Sequence, residues 1–119
     1  MNFNAGKLLK SFSFAFKGLA SALRTQQNFR IHAGIACLVV VLGIFARLTP
    51  TEWCVIVMAM FLVMAMEVMN TAVEKLVDFI SPGFHEQAGI VKDISAAAVL
   101  LTAIAALIAG LIIFLPRIL

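Results

Sequence analysis

Glu67, Asn70, Glu74 and Asp78 lie in the stretch "MEVMNTAVEKLVDF", which follows directly on a long apolar run. Carboxylates at such spacing can take protons, bind hard cations, or meet phosphates through those cations. At 100° per residue these four and Thr71 share an arc of about 80 to 100°. Val68, Met69, Ala72, Val73, Leu76, Phe79 and Ile80 fill the opposite side. A solvated helix face accounts for Asp78 as readily as chemistry does. Glu67 resists that explanation, because it comes after fourteen apolar residues, where a carboxylate is costly unless it faces protein, water or metal. Two turns, about 10.5 Å, separate Glu67 from Glu74, so within one chain they cannot share a proton or an ion. They suit different tasks at one elongated site.

The element carrying these acids must leave a membrane. The chain has 119 residues, 63% hydrophobic and 13% charged, with a mean hydropathy of +1.08, whereas soluble domains are nearer a quarter charged. An all-α integral membrane protein forming a single domain over residues 1–119 is expected, with a surface helix at 7–27 and further helices at 28–47, 50–80 and 94–115. "TPTEW" gives the third of these four helices a strong start, with Thr49 as cap, Pro50 in the first position and Glu52 three residues after the cap. Nothing breaks its pattern before "SPG" at 81–83, so a helix over 50–80 would be about 46 Å long, longer than the bilayer core. Glu67 then falls about 25 Å along it, near the far interface.

Lys7, Lys10, Lys17, Arg24 and Arg30 precede the first span with no acid among them. This basic excess predicts a cytoplasmic N-terminus, and three spans then put the acids and the 81–92 loop on the cytoplasmic side. On a helical wheel Leu8, Phe12, Phe16, Leu19 and Leu23 oppose Lys7, Lys10, Ser11, Lys17, Ser21 and Arg24, the pattern of an amphipathic helix lying on anionic lipid. No signal-peptide pattern, nucleic-acid motif or low-complexity segment is present. Cys37 and Cys54 sit in apolar runs without metal-ligand spacing and read as packing residues. Ala98, Thr102, Ala106 and Gly110 form a small-residue stripe that favours a bundle or oligomer. His85, Glu86, Lys92 and Asp93 fall on the same side as the acids; by position alone, Lys92 either snorkels or binds phosphate. No Gly-rich phosphate loop accompanies them.

"EVMNTAVEKLVD" followed by "HEQAGIVKDISAAAV" resembles the prokaryotic diacylglycerol kinase and undecaprenol kinase family, with its pattern ExxNxAxExxxD and a KD pair before the last span. "SFSFAFKGL", "NFRIH" and "LIIFLP" extend the resemblance nearly end to end. It implies a surface helix and three membrane helices assembled as a homotrimer in the bacterial inner membrane, with active sites between subunits on the cytoplasmic side. It implies ATP-dependent phosphorylation of a membrane lipid alcohol, with undecaprenol favoured over diacylglycerol by those three segments. By the same resemblance Glu67 is the general base and Asn70 holds the reacting groups. Glu74 is a ligand of Mg2+ on the ATP phosphates, Lys92 meets those phosphates, and Asp93, Asp78 and His85 belong to the nucleotide side. Gln26 stands where many relatives place a second metal-binding glutamate, offering an oxygen without a charge. A small channel or proton-coupled transporter using Glu67 is the alternative, but it does not need the acids beyond the bilayer or the KD pair.

Overall fold

The computed structural model describes residues 2–119. Among the described residues the fold is all-helical: α1 (Ala5–Thr25), α2 (Gln27–Ala46), α3 (Pro50–Ile80) and α4 (Glu86–Ile118). The last three are long and apolar enough to cross a membrane, which makes this a multi-pass membrane protein.

Local chemistry sets the ends. Asn4 caps α1 by accepting from the Lys7 N–H at 3.1 Å. A single extended residue, Gln26 (φ −109°, ψ 110°), then redirects the chain into α2. α2 stops at Arg47, which takes the left-handed conformation at φ 55°, a position where a non-glycine residue costs about 1–2 kcal/mol. The reversal is held from both sides. Leu48 donates back to the Gly43 carbonyl at 3.3 Å, and Thr49 with Glu52 forms a reciprocal capping box ahead of Pro50.

α4 differs from its expected bounds at both ends. It begins at Glu86 rather than at residue 94, because hydropathy marks where lipid begins and not where the helix begins. His85 caps that polar first turn, its Nδ1 accepting from the Gln87 N–H at 3.1 Å. At the other end α4 passes through Pro116 to Ile118 instead of stopping at 115, and a proline so near the terminus disturbs little helix beyond it. α1 runs Ala5–Thr25 rather than 7–27, since Asn4 supplies the cap and Gln26 breaks the helix.

α3 is the spine, packed most extensively on α4 and then on α2, while α1 touches α2 and α3. Leu48, Ile56 and Ile113 form a buried cluster backed by Val39, Trp53 and Phe114. Along α3 the residues turned inward are Ile56, Val63 and Glu67, a spacing that keeps them on one helix face. Met58, Phe61, Leu62, Met69 and Leu76 lie on the other face and are exposed.

Candidate functional site

The start of α2, the late turns of α3 and the start of α4 come together at one end of the bundle, which is where the acids lie. Glu67 is 4% exposed and is the one buried charged residue among the described residues. Its Oε1 lies 3.3 Å from His32 Nε2. His32 is on the second turn of α2, which runs against α3 and so meets Glu67 from across the helix pair. The Glu67 backbone carbonyl accepts from Thr71 Oγ1 at 3.0 Å.

One turn on, Asn70 Nδ2 donates to Glu74 Oε1 at 3.3 Å. Asn70 Oδ1 is buried without a hydrogen-bond partner, a costly state for a polar atom unless a ligand completes it. Further along, Lys92 of α4 pairs with Asp78 of α3. The lysine is therefore held near the acid stripe, with its ammonium on Asp78. Asp93 is exposed beside it. His85 is also exposed, with Nδ1 occupied by the helix cap. Gln26 sits at the α1–α2 junction, where its side-chain amide donates to Thr25 Oγ1 at 3.4 Å.

No group of three or more His, Cys, Asp or Glu gathers to hold a metal among the described residues. The oxygen donors present nevertheless suit magnesium, which keeps several waters and needs only one or two carboxylates beside phosphate oxygens. Glu74 provides such a carboxylate, next to the unpartnered Asn70 Oδ1.

An apolar groove of about 440 Å³ runs from this end between α2 and α4, with α3 behind it. Ile35, Val39, Val63, Ala106 and Gly110 are among its walls, and His32 is the only polar side chain among the described residues that line it. The groove thus ends at the residue that touches Glu67. Sequence reasoning assigns no role to His32. The available signal is a histidine entering an apolar run, where an ionisable group needs a partner.

Three helices able to cross a membrane thus carry a buried carboxylate beside the end of an apolar groove, with further acids and a lysine beyond it, and this defines a small multi-pass membrane protein. The family model described as prokaryotic diacylglycerol kinase matches residues 13–114, and the chain belongs to that family. The undecaprenol kinase of Bacillus subtilis is 38% identical over 111 residues, covering 93% of this chain and 90% of that protein. The diacylglycerol kinase of Synechocystis sp. is 41% identical over 116 residues, covering 97% of this chain and 66% of that protein. The diacylglycerol kinase of Escherichia coli K12 is 31% identical over 102 residues, covering 86% of this chain and 84% of that protein. The chain is a lipid kinase that phosphorylates a lipid alcohol, with ATP as co-substrate. The channel alternative has no support.

Proposed function

We propose that the acceptor is undecaprenol in preference to diacylglycerol, and that transfer occurs at the cytoplasmic face of the bacterial inner membrane within a homotrimer. The observation carrying this reading is the continuity between the apolar groove and the buried Glu67 through His32. A single groove suits one hydrocarbon chain ending in a hydroxyl. Diacylglycerol would bring two chains and two esters to a wall on which His32 is the one polar side chain among the described residues. Sequence identity alone does not separate the substrates, since relatives named for each are 38% and 41% identical.

In this reading Glu67 accepts the proton of the lipid hydroxyl as that oxygen bonds to the γ-phosphorus. The bond from the γ-phosphorus to the bridging oxygen breaks, and ADP leaves. Asn70 orients the reacting groups from one turn away. Glu74 would hold magnesium, which when bound neutralises charge on the ATP phosphates. Lys92 exchanges Asp78 for a phosphate oxygen, with Asp93, Asp78 and His85 on the nucleotide side. Gln26 contributes at most a neutral oxygen to the metal.

The basic N-terminal block supports the cytoplasmic placement. α1 would lie on the membrane surface with Leu8, Phe12, Phe16, Leu19 and Leu23 in lipid, forming a lateral door for the substrate. Subunits would meet through the exposed α3 face of Met58, Phe61, Leu62 and Met69. The test is phosphate transfer from ATP by the purified protein in vesicles, with undecaprenol and diacylglycerol in parallel. A higher kcat/KM for undecaprenol is expected. Equal values, or preference for diacylglycerol, would overturn the assignment.

A further inference from the structure

We propose that His32 is a positioning residue for the phosphoryl transfer, fixing one oxygen of Glu67 so that the other faces the lipid hydroxyl. This rests on the reading of Glu67 as base. Glu67 is buried, and among the described residues His32 is the only basic partner within ion-pair distance of its carboxylate, at 3.3 Å. An imidazole nitrogen 3.3 Å from one carboxylate oxygen restricts the carboxylate's rotation about its last bond. Proton transfer then profits, because a base works only within hydrogen-bond reach of the proton that it takes.

A second observation, independent of that contact, places the same imidazole at the end of the apolar groove. A hydroxyl arriving along the groove therefore reaches Glu67 beside the imidazole, at the carboxylate oxygen that His32 leaves free. The Thr71 hydroxyl does not share the task, since it bonds the Glu67 backbone carbonyl and leaves the side chain free to rotate. The atom that matters is Nε2. A glutamine carries an amide N–H the same number of bonds from Cα, so it retains the donor without the ring, whereas leucine keeps the bulk and loses the donor.

The experiment measures kcat and both KM values for full-length His32→Gln, His32→Leu, Glu67→Gln and the His32→Leu/Glu67→Gln double variant in lipid nanodiscs. His32→Leu is expected to lower kcat by about tenfold to a hundredfold, as a misplaced catalytic group does, with the KM for ATP unchanged. His32→Gln recovers most of that loss, and the double variant is no slower than Glu67→Gln alone, because there is no base left to aim. The double variant also covers the case in which His32→Leu alone fails to fold, since the Glu67→Gln change makes that side chain neutral and leaves no buried charge without a partner. Turnover by His32→Leu close to that of the unmodified protein, no recovery by glutamine, or multiplying losses in the double variant would each overturn the role of His32. If Glu67→Gln is inactive and His32→Leu is not, only the positioning role fails. If Glu67→Gln retains turnover, the base assignment fails first.

Discussion

The two ends of the helix bundle are built on opposite plans. At the end where α2 stops and α4 finishes, Arg117 donates to the carbonyls of Ala46 at 3.2 Å and Ile113 at 2.7 Å, and to the Glu52 carboxylate at 2.7 Å. One guanidinium thereby ties three helices together, and Glu52 in turn completes the cap of α3. At the other end Glu67 has His32, Asn70 Oδ1 has no partner, and Lys92 holds Asp78 through a largely exposed pair. The closed end satisfies its polar groups within the chain, while the open end leaves the buried Asn70 Oδ1 without a protein partner. Substitutions at the two ends should accordingly fail in different ways: turnover at one, stability at the other.

Glu67→Gln gives the largest effect. Turnover should fall by about 10² to 10⁴, the range for a positioned acid or base, while ATP still binds. Single-turnover kinetics together with nucleotide binding measure both quantities. Near-normal turnover would remove the base assignment and, with it, the functional meaning of the open end.

Lys92→Ala comes next. Its pair with Asp78 is more than a third exposed on both sides, so it contributes at most about 1 kcal/mol to stability. The unfolding midpoint should hardly move. If the ammonium meets phosphate instead, the KM for ATP rises and kcat falls together, by about tenfold each, the loss of a charge-assisted contact of about 1.5–3 kcal/mol. An unchanged ATP dependence would return Lys92 to a purely interfacial role.

Much of this architecture is legible in short segments because its determinants are local. "TPTEW" carries the cap, the proline and the capping-box acid of α3 within five residues, and "SPG" ends that helix. The acid stripe follows from helical periodicity alone, so Glu67, Asn70 and Glu74 stand out before any packing is known. What is not legible depends on residues far apart in the chain. His32 meets Glu67, and Arg117 meets Glu52 across a separation of 65 positions, only because α3 runs antiparallel to α2 and α4 and the helices pack in a particular rotation. The start of α4 escapes for another reason: a polar turn capped by His85 has no hydropathy signal at all.

The smallest effect belongs to the closed end, and Gly43 is the place to look for it. A Cβ at this position would stand 2.6 Å from Trp53 Cη2 and 3.0 Å from Leu48 Cδ1. α2 approaches the first turn of α3 so closely there because residue 43 has no side chain. Alanine is the better helix former by about 1 kcal/mol, and overpacking of a filled site costs about 1–3 kcal/mol. The clash should prevail, since the indole is rigid and rests against the cluster of Leu48, Ile56 and Ile113, leaving it nowhere to go without opening that cluster. Gly43→Ala should therefore lower the unfolding midpoint in detergent by roughly 5 °C, and kcat and both KM values of the folded fraction should stay as they are. If turnover fell while the midpoint held, the two ends would not be independent, and packing around Trp53 would have to be transmitted along α3 to Glu67.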